Sequence, residues 1–311
     1  MKVLVTGAGG MVGRNLLADP RAAAHEVLHP TRGELDLRDR AACDAYLARE
    51  KPDLVIHLAA VVGGIQANID QPARFLADNL AIGVNLITAA RAAGVRRLIN
   101  LGSSCMYPRD LPGPLTEDRL LTGPLEATNE GYALAKIAAW KLCQAMNRET
   151  PGLRYVTLIP PNLYGLHDRY EPTWSHLIAA AILKIDTAMR QGRGEVEIWG
   201  DGSARREFMF AADLADFIWR HLGRLDDLPE TLPETMNVGV GVDRTVTEYY
   251  QAAASALGYG GAFTYDTEKP SGMKRKLLDV SAQERLGWRP PTSLASGIAA
   301  AVADYRCMTA S

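Results

Sequence analysis

Tyr132 and Lys136 are the residues of this chain whose spacing most directly suggests chemistry. Four residues apart in a helix, they lie on the same face, about one turn from each other. A free phenol titrates near pH ~10, and a neighbouring ammonium would lower the pKa of Tyr132 towards neutrality. The pair would then serve in acid–base catalysis. The alternative, in an alanine-rich helix, is a tyrosine packed in the core and a lysine in water.

Small polar residues follow a predicted strand at residues 97–101, and they form a second group with chemical potential. Ser103, Ser104 and Cys105 stand directly after its carboxyl end. Ligands bind at the carboxyl ends of the strands in a doubly wound sheet, so we expect these residues to lie at a binding site. The alternative for Cys105 is a small buried hydrophobic residue.

A glycine-rich turn near the N-terminus indicates a dinucleotide site. A buried strand at residues 3–6 runs into Gly7-Ala8-Gly9-Gly10-Met11-Val12-Gly13, and a helical run follows. We expect Gly7 to permit the tight turn, Gly10 to let the backbone approach a pyrophosphate, and Gly13 to let the helix pack on the strand. The helix N-terminus offers free N–H groups to the phosphates. The alternative is an ordinary strand–helix turn that needs glycine.

The residues after the second predicted strand, at 26–29, bear on the choice between NAD and NADP. An NAD enzyme commonly has an acidic residue there for the ribose 2′-hydroxyl, whereas this chain has Arg32, which suits the 2′-phosphate of NADP. A solvated surface arginine is the alternative. Asp36, followed by Leu37, is a candidate contact for the adenine.

Strands and helices alternate along the first half of the chain. This alternation predicts an α/β fold with a doubly wound parallel sheet of the Rossmann type. A buried strand at residues 53–60 ends in small residues that would let a cofactor lie close (Leu58, Ala59 and Ala60). Within that strand, His57 is interpreted as a core histidine.

Two long helices are predicted, at residues 71–94 and 130–148. After a strand at 155–159 the regular alternation ends. We therefore predict a dinucleotide-binding domain over residues 1–162 and a smaller substrate-binding portion over 163–311, interleaved with the first.

Composition narrows the class of protein. The 311 residues are 47% hydrophobic with a net charge of −2 and both signs mixed, so neither a nucleic-acid nor a membrane partner is expected. Four scattered cysteines without a Cys-x-x-Cys motif suit a reducing cytosol and predict neither disulfides nor a metal site. The first strand begins at the start of the chain and no apolar run approaches ~20 residues, so we predict a cytoplasmic protein.

The glycine turn, the serine at a strand end and Tyr-x-x-x-Lys together resemble the extended short-chain dehydrogenase/reductase superfamily. In that superfamily the serine and tyrosine bind the carbonyl or carbinol oxygen of a sugar nucleotide, and the lysine holds the nicotinamide ribose. The resemblance assigns these roles to Ser103, Tyr132 and Lys136. It also implies a homodimer formed through two long helices of each subunit.

A narrower resemblance, to the GDP-L-fucose synthase family, extends over nearly the whole chain. The matching blocks are residues 62–68 (VGGIQAN), 101–108 (LGSSCMYP), 162–168 (NLYGLHD), 175–176 (SH), 206–208 (REF) and 275–280 (RKLLDV). The family epimerises C3 and C5 of GDP-4-keto-6-deoxy-D-mannose and then reduces C4 with NADPH. The resemblance makes Cys105 the base and His176 the acid of epimerisation, because a thiolate and an imidazole both operate near neutrality.

The resemblance also implies a larger set of binding residues. The cofactor set comprises Gly7, Gly10, Met11, Val12, Gly13, Arg32, Asp36, Leu37, Leu58, Ala59, Ala60, Tyr132, Lys136, Asn162, Leu163 and His176. The substrate set comprises Ser104, Cys105, Asn162, Trp199, Arg206 and Lys276, with Arg206 and Lys276 as candidates for the diphosphate.

Departures from the family leave the sugar open. Gly9 stands where the family commonly has an arginine, and Pro161 stands where it has a threonine. The alternatives are a GDP-keto-dideoxysugar C5-epimerase/4-reductase of the GDP-colitose type, a single-function reductase or epimerase, and a non-catalytic NADP-binding protein. Retention of both proton-handling pairs argues against the last.

Overall fold

The computed structural model describes residues 1–172, 174–225, 231–269 and 272–309. Thirteen strands lie in these ranges: β1 (Lys2–Thr6), β2 (Glu26–Leu28), β3 (Leu54–His57), β4 (Arg97–Leu101), β5 (Arg154–Ile159), β6 (Asn162–Tyr164), β7 (Glu195–Trp199), β8 (Arg205–Arg206), β9 (Phe208–Phe210), β10 (Thr235–Asn237), β11 (Arg244–Thr245), β12 (Ala262–Asp266) and β13 (Arg275–Lys276). Ten α-helices accompany them: α1 (Met11–Ala18), α2 (Arg40–Glu50), α3 (Ile65–Asp70), α4 (Pro72–Ala92), α5 (Glu130–Glu149), α6 (Leu177–Arg190), α7 (Ala211–His221), α8 (Val246–Leu257), α9 (Ser281–Arg285) and α10 (Leu294–Thr309).

Six strands form a parallel sheet in the order β2-β1-β3-β4-β5-β10. Apolar strand residues such as Val3, Leu4 and Val5 are fully buried because helices cover both faces. Helices α1 and α7 pack on one face, and α2, α4 and α5 on the other. The connections leave β1 in opposite directions, which puts the switch point between β1 and β3. The predicted doubly wound α/β fold is confirmed.

Segments beyond residue 162 contribute to the same core. Strand β10 pairs with β5, and α7 packs against α1 with Phe217 fully buried. A separate apolar cluster joins α6, α8 and α10 with β7 and the aromatic residues of β9. Three short strands, in the order β11-β8-β13, bring Arg206 and Lys276 side by side. In the described part of the chain, no helix combines the length and the apolar character needed to cross a membrane.

The third strand of the sheet is shorter than its sequence pattern predicts. It ends at His57, because the neighbouring strand β1 ends at Thr6 and the ladder stops there. Residues 58–60 are irregular backbone at the carboxyl edge of the sheet. An additional helix, α3, follows, and Asn68 on it donates to the carbonyls of Gly63 and Gly64. The loop at residues 63–64 is therefore held by hydrogen bonds to the helix that follows it.

Candidate active site

The glycine turn packs α1 directly against the sheet. Gly7 has a φ of +74°, and a Cβ there would stand 2.7 Å from the backbone nitrogen of Ala59. A Cβ on Gly13 would overlap Ala8. Gly10 caps α1 without a side chain, so the first N–H groups of the helix are left for a ligand.

A cavity of about 400 Å³ begins at this turn and continues along the carboxyl ends of β1, β3 and β4. It reaches the tyrosine–lysine pair on α5 and ends at the short strands β8 and β13. The predicted site residues that line it are Gly7, Gly10, Met11, Val12, Gly13, Leu58, Ala59, Ala60, Ser103, Cys105, Tyr132, Lys136, Asn162, Leu163, His176, Arg206 and Lys276.

A second cavity, of about 570 Å³, opens on the other side of the glycine turn and shares Gly7, Gly10, Ala59 and Ala60 with the first. Arg32, Asp36 and Leu37 line it. The side chain of Arg32 is 66% exposed, with its Nε 3.8 Å from Asp36 Oδ2.

Sequence reasoning missed Arg38 in this second cavity. Arg38 makes a two-pronged contact with Asp36, at 3.0 and 2.6 Å, and this pairing lowers the pKa of Asp36 to about 2. A second arginine six residues after Arg32 was the available signal, but the sequence does not show which arginine turns towards the cavity.

Two predicted substrate residues do not line either cavity. Ser104 is 1% exposed, and its backbone nitrogen donates to Pro160. Two ammonium groups lie near the ring of Trp199, with Lys184 Nζ at 5.2 Å and Lys269 Nζ at 5.8 Å from its centroid.

Burial dominates the electrostatics of Tyr132 and Lys136. Lys136 Nζ donates to the Leu101 carbonyl at 2.8 Å and lies 5.8 Å from the centroid of the Tyr132 ring. Burial lowers the pKa of Lys136 to about 8. Burial raises the pKa of Tyr132 above its ordinary value, Cys105 adds to the rise, and the hydrogen bond with Ser103 opposes it.

The expected lowering of the Tyr132 pKa by Lys136 is therefore wrong for this structure. The physical reason is that the ammonium faces a carbonyl while the phenol loses its hydration. A protonated Tyr132 beside Ser103 is suited to donate a hydrogen bond, and then a proton, to an oxygen atom that gains charge.

The sulfur of Cys105 has two nitrogen neighbours. Asn129 Nδ2 lies 3.2 Å from Sγ, and Lys276 Nζ lies 3.8 Å away. Ser103 Oγ accepts a hydrogen bond from the backbone nitrogen of Cys105 at 3.3 Å, which fixes the turn that carries the thiol. His176 precedes α6, and burial lowers its pKa, so the neutral imidazole is favoured at neutrality.

Beneath the far end of the cavity, Glu207 ties three segments together. Its carboxylate accepts hydrogen bonds from the backbone nitrogens of Val240 at 2.6 Å, Gly241 at 2.9 Å and Leu278 at 2.8 Å. Burial raises the pKa of Glu207 to about 7, although all three bonds oppose the rise. The neighbouring Arg206 is also buried, which lowers its pKa, with Glu126 opposing.

His57 and Thr6 form a buried pair behind the site. Thr6 Oγ1 lies 2.8 Å from His57 Nδ1, and burial, helped by the charge of Lys136, lowers the pKa of His57 to about 3. His57 is thus a neutral core residue, as its position inside a strand indicates, and it does not line either cavity.

Sequence reasoning missed several further residues of the first cavity. Some follow β3 and begin α3, some precede α5, and two precede β13: Val62, Gly63, Gly64, Ile65, Asn68, Glu126, Thr128, Asn129, Gly272 and Met273. Residues 62–68 were part of a recognisable block, but no acid–base or charge pattern marked them. Asn129 stands three residues before Tyr132, and that proximity was the one signal for it.

The fold and the site together are those of a dinucleotide-binding dehydrogenase. The chain belongs to the NAD-dependent epimerase/dehydratase family, whose model matches residues 3–239. Relatives cover almost all of it. It is 52% identical to a GDP-L-colitose synthase of Yersinia pseudotuberculosis, over 96% of both chains. It is 49% identical to a GDP-L-fucose synthase of Azorhizobium caulinodans, over 96% of this chain and 94% of the relative.

A solved structure shares the architecture. It is a GDP-D-glycero-L-gluco-heptose synthase from Campylobacter jejuni, determined in the presence of NADPH. It is 28% identical to this chain and superimposes with a TM-score of 0.87, covering 98% of each chain.

Proposed function

We propose that this protein is an NADP-dependent epimerase and 4-reductase of a GDP-4-keto-6-deoxyhexose, with GDP-L-fucose as product. The observation that carries the proposal is that two proton-handling pairs line one cavity. Ser103 and Tyr132 form one pair, and Cys105 and His176 provide the other. The cavity joins the glycine turn to the cationic strands β8 and β13, as a dinucleotide and a sugar diphosphate require.

The residues present fit an NADP cofactor. The turn at Gly7 packs against the Ala59 backbone, where a side chain would clash, and the uncapped N-terminus of α1 borders the first cavity with its N–H groups available to phosphates. We assign the ribose hydroxyl groups to Lys136, which lines the first cavity, and the 2′-phosphate to Arg32, which borders the second. When bound, NADPH supplies the hydride that reduces C4.

Tyr132 and Ser103 handle the oxygen at C4. Because burial keeps the phenol protonated, Tyr132 can donate a hydrogen bond to the ketone, stabilise the enolate during epimerisation, and protonate the alkoxide after reduction. Ser103 bonds Tyr132 and shares this oxygen site. One oxyanion site therefore serves both reactions.

Cys105 and His176 handle the carbon-bound protons. The C4 ketone acidifies the neighbouring C–H bonds, so Cys105 as thiolate removes a proton and His176 as imidazolium returns one to the other face. Since burial lowers the pKa of His176, the imidazolium is scarce at neutrality. We therefore expect the rate of solvent exchange to fall at high pH, where the His176 proton is lost.

A second candidate is a GDP-keto-dideoxysugar C5-epimerase and 4-reductase of the GDP-colitose type. The 52% identity to a GDP-L-colitose synthase supports it, since this is similar to the 49% to a GDP-L-fucose synthase. In that reaction C3 carries no hydroxyl group and only C5 is epimerised.

The test is to incubate the protein with GDP-4-keto-6-deoxymannose and NADPH in D2O and to locate deuterium in the product. Label at both C3 and C5, with NADPH consumed, supports GDP-L-fucose formation. Label at C5 alone favours the dideoxysugar candidate. Reduction without label would indicate a plain reductase. The absence of both label and reduction would contradict the proposal.

The variant Cys105→Ser isolates the epimerisation step. We expect exchange at carbon to fall at least a hundredfold, since a serine hydroxyl is a far weaker base than a thiolate near neutrality. NADPH binding, measured by fluorescence titration, should persist because Cys105 lies on the substrate side of the cavity. Unchanged exchange would remove Cys105 from the mechanism.

We also propose a homodimer formed through α4 and α5, supported by the apolar residues that these helices expose, Val84 and Leu134 among them. The cytoplasmic location stays a prediction from the scattered cysteines. Its test is fractionation of the native host, with the protein expected beside a cytoplasmic marker.

A further inference from the structure

Asn129 occupies the position directly before α5, where an asparagine ordinarily caps a helix. Its side-chain oxygen would then accept a hydrogen bond from an N–H group of the first turn. In this structure its side chain makes no such bond. Its Nδ2 instead lies 3.2 Å from Cys105 Sγ. Because the cap is given up, the direction of this side chain needs an explanation other than helix stability.

The surroundings of the sulfur are cationic. Lys276 Nζ lies 3.8 Å from Sγ, and Arg206 is close enough for Cys105 to oppose the lowering of its pKa. Tyr132 faces the sulfur as a protonated phenol, and Glu126 is the acidic neighbour of Arg206. His176 is neutral by burial and supplies no counter-charge before it gains a proton.

The second polar atom of the amide gives an independent observation. Asn129 Oδ1 is buried and, among the described residues, has no hydrogen-bond partner. An unbonded buried acceptor is unfavourable, and a hydroxyl group of a bound sugar would relieve it. Asn129 borders the cavity, so such a group can reach it.

We propose that Asn129 is a positioning residue for epimerisation, whose amide donates a hydrogen bond to the Cys105 sulfur and, with the Lys276 ammonium, favours the thiolate. The thiolate takes a proton from the carbon beside the C4 ketone. The new S–H bond replaces the C–H bond, and the electron pair moves onto the ketone oxygen. Asn129 transfers no proton. Its role in turnover rests on the proposed function, whereas its contact with the sulfur does not.

Alkylation of Cys105 tests the contact without any substrate. The rate of reaction with iodoacetamide is followed from pH 6 to 10 by mass spectrometry of the Cys105 peptide, which separates it from Cys43, Cys143 and Cys307. In Asn129→Ala the midpoint of the profile should move up by about one pH unit, because a hydrogen bond to a charged group is lost. An unmoved midpoint overturns the proposal. A downward shift also overturns it, because Oδ1 would then be accepting from the thiol.

Asn147→Ala is the matched control. Asn147 lies on the same helix, and its amide bonds Tyr155 and Glu234 away from the cavity. Its removal should lower the melting temperature without moving the alkylation profile. A shift of equal size in Asn147→Ala would show that general loosening of α5 explains the result, and would overturn the proposal.

Solvent exchange tests the role in turnover. In D2O at pH 7 without NADPH, Asn129→Ala should incorporate deuterium into the keto-deoxyhexose about tenfold more slowly than the parent protein, and the deficit should shrink as the pH rises and the thiolate forms unaided. A deficit that is constant across pH, or no deficit, contradicts the proposed role. If the parent protein itself exchanges no proton while the alkylation shift is present, the proposed function fails and the sulfur contact stands.

Discussion

Lys136 carries a charge at a place where burial opposes it. Its ammonium donates to the Leu101 carbonyl, and the residue is 5% exposed. The pKa falls from 10.5 to about 8, which is on the order of 3 kcal/mol of unfavourable burial below pH 8. Such a cost is typical of a site that keeps a group for function at the expense of stability.

We therefore expect Lys136→Met to abolish reduction and yet to stabilise the cofactor-free protein by about 1–2 kcal/mol at pH 7, after the loss of one hydrogen bond. Between pH 8 and 10.5 the unfolded chain holds a proton that native Lys136 has lost, so the stability of the parent protein rises with pH. The difference in the free energy of unfolding between Lys136→Met and the parent protein should therefore narrow between pH 8 and 10.5. Urea denaturation at pH 7, 9 and 10 measures it.

The matched control is Lys141→Met, an exposed lysine on the same helix that lies over the Trp140 ring. It should show no comparable change with pH. A Lys136→Met protein that is less stable than the parent at every pH would contradict the burial argument.

Gly9 offers a test of cofactor preference at a single position. Among the described residues, no atom lies within 4 Å of the point where a Cβ would stand, and Gly9 borders the same cavity as Arg32. An arginine there gains a contact with a 2′-phosphate, so Gly9→Arg should raise the NADPH:NADH ratio of kcat/KM about tenfold. Arg32→Ala should lower that ratio by a similar factor.

Gly9→Ala is the control for the Gly9→Arg result, since it changes the backbone in the same way without adding charge. Equal ratios in Gly9→Arg and Gly9→Ala would place the 2′-phosphate elsewhere. If Arg32→Ala leaves the ratio untouched, Arg32 is a surface residue and Arg38 becomes the next arginine to test.

At the scale of elements, Glu207 holds together the strands that carry the cations. Arg206 on β8 is paired with Lys276 on β13. The Glu207 carboxylate accepts hydrogen bonds from the backbone nitrogens of Val240 and Leu278. Removing that acceptor leaves three buried N–H groups without their partner, at about 1–3 kcal/mol each. The short strands contribute little stability of their own, because two residues form few ladder bonds.

Glu207→Ala should therefore lower the free energy of unfolding by about 3 kcal/mol or more. It should also raise the KM for the GDP-sugar about tenfold, while the KM for NADPH changes less than twofold. For Glu207→Gln, which keeps one acceptor oxygen, both effects should be intermediate between the parent protein and Glu207→Ala. Steady-state kinetics and urea denaturation measure both effects. Glu171→Ala, which removes an exposed carboxylate bonded to Arg169, is the control. Equal rises in both KM values would mean that Glu207 supports the whole fold and not this wall of the cavity.

Local signals explain which elements could be predicted from the sequence. Strand β4 has the predicted bounds and α5 differs by about a residue at its end, because a buried apolar run and a helical period lie within one short stretch. Strands β8, β11 and β13 have two residues each and include arginines and a lysine. Their pairing joins residues about 40 and 70 positions apart, so no local pattern indicates them.

At the scale of the whole molecule, the site is assembled from distant segments. Tyr132 and Lys136 were predictable from their spacing, whereas the direction of Asn129 towards Cys105 depends on how the turn after β4 meets the start of α5. The reversal of the expected Tyr132 pKa has the same origin: the sequence shows the neighbouring lysine but not the burial. Residue types were thus predictable, while their protonation depends on the folded environment.

The outer surface of α4 and α5 is predicted to be the interface of a homodimer. Along α4, Ala77, Ala81 and Val84 follow a helical spacing on the outer side, and Val84 is 38% exposed. On α5, Leu134 is 41% exposed. A second copy would cover this apolar stripe, so light scattering after size exclusion should give about twice the 33.7 kDa of one chain.

Val84→Glu should weaken the dimer at least tenfold because it places a carboxylate in the interface, whereas Met189→Glu, on the exposed side of α6, should not. A monomeric parent protein at micromolar concentration, or a dimer indifferent to both Val84→Glu and Leu134→Glu, would exclude these helices as the interface.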